Sequence, residues 1–373
     1  MTFRWLGRTI LLCVLLAVSS SVWAQTATFH MLTSPIQNTW ANFALSSDGK
    51  VMAANYGGEI YRWTPTGGFV DLGPGDPNSS SVAISHDGST IVSSLLGSNH
   101  AGTPGLWKQA TGWANLGHPA NGCKLDNEWG SGYGVSGDGT VAVGLAWYCP
   151  GAEGFRWTKN DGMKALSHPT GKSSRASAIS ADGNTIVGFS EDPIGGYRRP
   201  ARWISGKTEL FAGAHAIGEA SAVSFDGSQI VGQYTTPANG IFAFYYSQQH
   251  GLVSLGTVSG IATDQSFANG VASNGMTVGW SGDPFGSGIQ AFVWTAKLTS
   301  RSLTKYLKNH GAKIPSNILP HDRARHLCGR INHCWSVAGR KLTSRGMDRS
   351  PQVTGCDLAE GLDRPIDHGR SSA

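Results

Sequence analysis

Charged residues are scarce in this chain. They make up 14% of the 373 residues, and the formal net charge is +5. Residues 25–307 alone contain 16 Lys or Arg and 18 Asp or Glu, a net charge of −2. A segment without a basic excess lacks the electrostatic attraction on which binding to a nucleic-acid backbone depends. We therefore expect no nucleic-acid partner.

Long apolar runs and familiar catalytic motifs are also missing. The apolar stretch Ile10–Val18 is shorter than a bilayer-spanning helix requires, and no later segment is long and apolar enough to span. The sequence contains no Gly-x-Ser-x-Gly elbow, no His-Glu-x-x-His and no P-loop. It therefore predicts no membrane span after signal removal, no catalytic residue, no cofactor and no metal site.

Cysteine is rare, with six residues in the whole chain. Only Cys123 and Cys149 lie in residues 25–307, where they flank the hairpin of one sequence repeat. In an oxidising compartment a disulfide between them would close that loop and stabilise the fold by about 3 kcal/mol. Two free buried thiols are the alternative.

Residues 1–24 resemble a secretory signal. Arg4 and Arg8 supply the positive start, and Val22-Trp23-Ala24 supplies small residues at the two positions that signal peptidase reads. Cleavage before Gln25 is expected, with a core strand as the alternative. The chain is thus predicted to be secreted or periplasmic, and a signal peptide alone does not distinguish these locations.

Glycine, in contrast, is abundant, with 51 residues, and much of it belongs to a phrase that occurs six times. In Ala178–Gly188 the phrase indicates a strand, a two-residue Asp-Gly turn with positive φ at both positions, and a second strand. The turn residues are spaced 39, 51, 44, 44 and 48 residues apart: Asp48, Asp87, Asp138, Asp182, Asp226 and Asn274. One carboxylate per turn is too few oxygen ligands for Ca²⁺, so we assign these residues to the turns.

Each repeat has room for four short strands in about 45 residues, which is the size of one propeller blade. An aromatic residue in the third strand of each repeat is expected to fill the space between neighbouring blades: Trp63, Trp107, Trp157, Trp203, Tyr245 and Trp294. The sequence therefore predicts an all-β propeller of six blades over residues 25–307, derived from seven. A β-helix is the rival fold.

The repeat resembles that of the HAF-type extracellular repeat proteins of bacteria, whose unit is similar to Ser-Ala-Asp-Gly, Ile-Val-Gly, Ala-Phe-Arg-Trp and Leu-Gly in order. The resemblance covers about 40–307. It implies an exported, repeat-built β protein with no established enzymatic activity and no catalytic residues to transfer. Tyr245, Asn274 and the missing Val-Gly of the first repeat depart from the unit, and we interpret them as tolerated variation.

Residues 308–373 differ in character, with 11 Lys or Arg, 6 Asp or Glu and no strand pattern. One interpretation is a metal-binding tail, because four potential ligands are close in sequence: His326, Cys328, His333 and Cys334. A second is a disordered tail. We favour a third, a frameshifted seventh repeat, because the codons of Leu327–Trp335 read one nucleotide later permit Ser-Ala-Asp-Gly-Ser-Thr-Ile-Val-Gly. The strand-like piece Thr28–Thr33 would then pair with the tail and close the ring, and the DNA sequence of codons 310–350 tests this.

Glycine- and proline-rich loops of varied length are expected to gather on one face and to form a binding surface. Five aromatic residues in or beside them are candidates for sugar or protein contacts: Trp129, Trp147, Tyr148, Tyr197 and Phe285. The predicted function is an exported, non-enzymatic binding or interaction scaffold for a glycan or a protein. A secreted carbohydrate-active enzyme and a purely structural surface or passenger module are the alternatives.

Overall fold

Six successive antiparallel sheets of four strands account for residues 41–302 and surround a common axis as the blades of a β-propeller. In each sheet the strands lie in chain order, first to fourth. The predicted all-β propeller with six four-stranded repeats is confirmed. The computed structural model describes residues 27, 30–33, 41–56, 58–77, 79, 81–97, 102–118, 130–147, 151–170, 172–211, 216–236, 240–261, 263–283, 289–315, 334–339, 342–343, 346–347 and 352–357.

The strand β1 (His30–Thr33) precedes the blades. Blades one to three contain β2 (Ala41–Leu45), β3 (Met52–Tyr56), β4 (Glu59–Thr64), β5 (Gly68–Pro74), β6 (Val82–Ile84), β7 (Thr90–Leu96), β8 (Gly102–Lys108), β9 (Gly112–Asn115), β10 (Gly130–Val135), β11 (Val141–Trp147), β12 (Ala152–Thr158) and β13 (Gly162–Ala165). Blades four to six contain β14 (Ser174–Ile179), β15 (Thr185–Glu191), β16 (Arg198–Ile204), β17 (Lys207–Leu210), β18 (Gly218–Val223), β19 (Gln229–Thr235), β20 (Ile241–Ser247), β21 (Gly251–Gly256), β22 (Gln265–Val271), β23 (Thr277–Gly282), β24 (Gln290–Trp294) and β25 (Arg301–Ser302).

This connectivity gives the propeller two different ends. The tight turns after the first and third strands of each blade lie at one end, which we call the turn face. The connections after the second strand, and those that lead into the next blade, lie at the other end, which we call the loop face.

The Asp-Gly turns are longer than the sequence pattern predicts. In blade four the N–H of Ser180 donates to the carbonyl of Thr185 at 2.8 Å, which encloses a four-residue loop. Gly183 has φ +75°, but Asp182 is not in the left-handed region, so the two-residue turn is wrong. The loop exists because the Ser180 hydroxyl donates to Asp182 Oδ1 (2.6 Å) and accepts the N–H of Thr185 (3.0 Å).

A β-bulge distinguishes the first strands of blades three to six from those of blades one and two. The pairing register shifts between Ala176 and Ala178 in blade four, and in the same place in blades three, five and six. The second strand of each bulged blade has glycine opposite the bulge: Gly144, Gly188, Gly232 and Gly279. A methyl group on Gly188 would overlap the carbonyl oxygen of Arg175. Blades one and two have Ala54 and Ser93 at this position and no register shift.

The cores lie between blades, where the third-strand aromatic residues pack. Trp203 of blade four is 2% exposed and packs in one cluster with Val143 of blade three. Trp294 of blade six shares a cluster with Val231 and Tyr245 of blade five. Trp63, Trp107 and Trp157 are partly buried against the clusters of blades one to three.

A short helix, α1 (Leu303–Asn309), follows the last strand of blade six. The sequence pattern placed Leu303 in a fourth strand, but β25 ends at Ser302, one residue earlier. Leu303 and Leu307 lie one helical turn apart and are buried against Val278 and Val293 of blade six. The helix therefore covers the face of blade six that is turned away from blade five. It also crosses the predicted boundary at residue 307. Among the described residues, no helix has the length and hydropathy to cross a membrane.

The two ends of the chain meet in a separate three-stranded sheet. The tail has no strand pattern in its sequence, but it contains β26 (Cys334–Gly339), β27 (Leu342–Thr343), β28 (Gly346–Met347) and β29 (Gln352–Asp357). β29 is the central strand and pairs with β1 on one side and β26 on the other. Leu32 of β1 packs against the cluster of blade one that contains Tyr56. The expected pairing of the N-terminal strand with the tail is thus present.

Candidate functional site

A cavity of about 450 Å³ lies on the axis, between the first strands of the blades. Nine side chains of its lining are polar: Asn42, Ser79, Ser81, Tyr133, Arg175, Ser177, Glu219, Ser221 and Asn269. Phe43 adds an aromatic ring. Since 300–1,000 Å³ is roughly the size of small-ligand sites, this cavity is large enough to bind one.

The bulges determine which side chains line this cavity. The extra residue of each bulged first strand is Tyr133, Ser177, Ser221 or Asn269, and all four line the cavity. These residues differ between repeats, whereas the flanking turns and Val-Gly pairs recur. Sequence reasoning missed them, although the Val-Gly glycine opposite each bulge was a signal that could have located them.

One ion pair crosses the cavity wall from blade four to blade five. Arg175 donates from Nη2 to Glu219 Oε1, and the Ser177 hydroxyl donates to the same oxygen at 2.5 Å. The guanidinium of Arg175 also lies over the rings of Tyr133 (4.9 Å) and Phe189 (5.3 Å). Burial alone would lower the pKa of Arg175, but the Glu219 carboxylate outweighs burial and raises the pKa above its ordinary value. The charge of this pair is therefore compensated within the protein.

Hydroxyl groups form the opposite wall. Ser94 Oγ lies 3.0 Å from Ser79 Oγ and 2.7 Å from Ser81 Oγ, and Ser131 donates to Ser79 at 3.0 Å. Hydroxyl groups can both donate and accept, so this wall can reorient to suit a neutral polar ligand. Glu219 is the single carboxylate among the described lining residues. A glycoside hydrolase needs two carboxyl groups about 5–10 Å apart, and the described lining does not supply the second.

The turn face narrows the axis to a closed end. The residue before each turn aspartate donates its N–H to the carbonyl of its equivalent in the next blade, from Ser47 through His86, Gly137 and Ala181 to Phe225, at 2.9–3.0 Å. His86 of blade two stacks on Phe225 of blade five with ring centroids 4.2 Å apart. Because these blades lie on different sides of the axis, the two rings extend across the mouth. Access to the cavity is therefore from the loop face.

Two of the five predicted binding aromatics lie at the loop-face end of the blades. Trp147 ends β11 and is 51% exposed, and Tyr197 lies in the next blade and is 54% exposed. The loop that carries Tyr197 is held by Asp192, which pairs with Arg199 at 2.7 Å. Trp129, Tyr148 and Phe285 lie outside the described residues, as do Cys123 and Cys149.

The five turn aspartates are committed to their turns. Each accepts a hydrogen bond from the serine two residues before it, from Ser46 to Asp48 through Ser224 to Asp226. At Asp182, partial burial alone would raise the pKa, but bonds from Ser180 and from the N–H of Asn184 outweigh it, so the pKa lies below its ordinary value. Asn274 accepts the N–H of Met276 at 3.0 Å in the same way. Within the described part of the chain, no three His, Cys, Asp or Glu side chains are grouped as metal ligands would be.

Comparison with known proteins places the fold among β-propellers. The structure is similar to that of streptogramin B lyase, with a TM-score of 0.52 at 11% identity over 91% of this chain and 100% of that one. It is also similar to the β-propeller domain of the Trilobed protease from Pyrococcus furiosus, with a TM-score of 0.51 at 12% identity over 87% of this chain and 100% of that one. A putative TolB from Agrobacterium tumefaciens reaches 0.46 at 15% identity, over 62% of this chain and 88% of that one. Neither a protein-family profile nor a curated protein sequence matches the chain. At these identities the likeness shows the fold alone.

Proposed function

We propose that this protein is an exported, non-enzymatic binding scaffold of the HAF type, and that a neutral glycan enters its axial cavity from the loop face. One observation carries the proposal. Four bulges direct residues that differ between repeats into the cavity, while the residues that build the blades recur. Divergence confined to the axis is what a binding site on a repeated scaffold requires.

The chemistry of the lining favours a sugar over a charged ligand. The Arg175–Glu219 pair compensates its own charge, so an ionic ligand gains no unpaired partner there. Serine hydroxyls and asparagine amides can donate to and accept from sugar hydroxyls, and Phe43 and Tyr133 offer rings for the apolar face of a sugar. Trp147 and Tyr197 would contact further sugar units outside the cavity. A protein ligand on the same face remains the alternative within this function.

A glycan array followed by titration calorimetry tests the proposal. Ser221→Phe, which fills the cavity, should abolish binding, and Trp147→Ala should weaken it by about tenfold, which is roughly 1.4 kcal/mol. Leu210→Ala is the matched control, because it removes an exposed apolar side chain from an outer strand away from the loop face.

The alternatives give different results in the same experiment. Release of shorter sugars from the bound glycan, abolished by Glu219→Gln, would favour a carbohydrate-active enzyme. The absence of any glycan or protein ligand would leave a structural module. Export is tested separately, because mass spectrometry of the mature protein should find Gln25 at the N-terminus.

A further inference from the structure

The repeat breaks down at one junction, between blades five and six on the turn face. The first residue of the second strand is Val or Thr in five repeats but Gln229 in blade five. The third-strand aromatic is Trp in five repeats but Tyr245 in blade five, and the turn residue is Asp in five but Asn274 in blade six. All three departures line one groove of about 710 Å³. Sites that break the local rules of a fold are candidates for function.

Tyr245 does not take over the contact that a tryptophan makes at the preceding junction. There, Trp203 donates its indole N–H to the carbonyl of Ser167 in the preceding blade at 2.7 Å. The Tyr245 hydroxyl instead donates to Gln229 Oε1 of its own blade at 2.7 Å, and Gln229 Nε2 donates to the carbonyl of Ser273 in blade six. Gln229 thus bridges the two blades beneath the groove and holds its floor in place.

The groove is neutral and partly apolar. Its one permanent charge, Arg202, is held by Glu209 at 2.6 and 2.8 Å. The turn at its rim carries the amide of Asn274 in place of a carboxylate. Ile204, Val253 and Ala296 supply aliphatic surface, and Ile204 is 40% exposed. A charged ligand would find no partner in this groove.

Amide groups at the rim match the hydrogen bonding of a peptide backbone. Gln248 and Gln249 are exposed in the turn after β20. Asn274 Oδ1 accepts the N–H of Met276, which leaves its amide nitrogen to donate. Each peptide unit offers one donor and one acceptor, and a side-chain amide offers the complementary pair. The Tyr245 and Trp294 rings are over nine-tenths buried, so they do not present the open faces that sugar rings stack on.

From these features we infer that the groove formed around Gln229, Tyr245 and Asn274 binds a short, extended, uncharged peptide segment of a partner protein. Aliphatic side chains of the peptide lie against Ile204 and Val253, and its backbone bonds to the glutamine and asparagine amides. This site is on the opposite face from the axial mouth, and it does not depend on the proposed glycan function.

Phage display provides the test. A library of random heptapeptides is selected on the full-length protein and counter-selected on the variant Gln229→Thr, Tyr245→Trp, Asn274→Asp, which restores the repeat pattern. Enriched peptides should be uncharged and rich in aliphatic residues. A synthetic peptide of the enriched sequence should bind the restored variant at least about tenfold more weakly than the wild type.

The controls separate this site from general damage and from the axial site. Thr185→Val, at the position of Gln229 in blade four, keeps to the residues of other repeats and should not change peptide binding. Trp147→Ala should not change it either. If the triple variant fails to fold, Asn274→Asp alone, at an exposed position, should still weaken binding. The inference is overturned if no peptide is enriched, if enriched peptides bind the restored variant equally, or if a neutral oligosaccharide rather than a peptide depends on these three residues.

Discussion

At the scale of single residues, the repeat phrase is a set of hydrogen bonds rather than a turn signal alone. Ser180 serves two partners, because its hydroxyl donates to Asp182 and accepts the N–H of Thr185. Four other blades repeat this arrangement, and blade six, with Ala272 in place of the serine, does not. The serine and the aspartate are therefore one functional unit of the turn.

This unit makes stability depend on acid. The folded-state pKa of Asp182 lies below its ordinary value of 3.8, so its bonds stabilise the fold above that value, and the stabilisation is lost as pH falls through the lower folded-state pKa. Asp182→Asn should reduce the free energy of unfolding at pH 7, and the difference from wild type should shrink below pH 3.8. Urea unfolding at a series of pH values measures this. A difference that is the same at all pH values would contradict it.

The glycine of the Val-Gly pair is a second residue with one clear physical duty. Gly188→Ala would press a methyl group onto the carbonyl oxygen of Arg175. We expect it to lower the free energy of unfolding by about 3 kcal/mol, as overpacking does. Ala54→Gly, the reciprocal change in unbulged blade one, should cost about 1 kcal/mol because it only loosens a strand. Equal losses in the two variants would show that the bulge does not require glycine.

At the scale of elements, strand positions followed from the sequence and the site did not. Alternating residues around Asp182-Gly183 located both flanking strands, because burial between blades requires that pattern. Arg175 and Glu219 gave no such signal, since their meeting depends on the bulge and on the placement of blade five beside blade four. The groove was missed for a related reason. Tyr245 and Asn274 were recognised as departures, but only the structure brings them together with Gln229.

Helix α1 is an element that the strand pattern did not predict, and its role is to cover blade six. Leu307→Ala should lower the free energy of unfolding by about 3 kcal/mol, because it removes a buried side chain from the cluster with Val278. Lys308→Ala, on the exposed side of the helix, should change it by less than about 0.5 kcal/mol. Chemical denaturation compares the two. Similar values for both would mean that the helix does not seal this face.

At the scale of the whole molecule, the ring depends on contacts between distant parts of the chain. Blades one to six follow one another in sequence, but β1 and β29 are more than 300 residues apart and share a sheet. Leu32 of β1 then reaches the outer cluster of blade one. Local pattern cannot encode such a pairing, so its prediction depended on knowledge of how propellers close.

This closure can be broken without touching the blades. Val353→Pro removes a backbone donor from β29, the central strand of the closing sheet. We expect amide exchange to speed up in β2 of blade one and β24 of blade six and to stay unchanged in blades three and four. Val353→Thr keeps the donor and is the control. Uniform acceleration in all blades would instead show that the ring unfolds as one unit.

The stack of His86 on Phe225 has a consequence for any polymer that this protein holds. An axis that is blocked at one end cannot be threaded, so a polysaccharide can enter only by its terminus and must withdraw along the same path. The protein then counts chain ends rather than chain mass. Cutting a polysaccharide into fragments multiplies the available termini at constant weight, and the protein would respond to that degradation as a rise in ligand concentration.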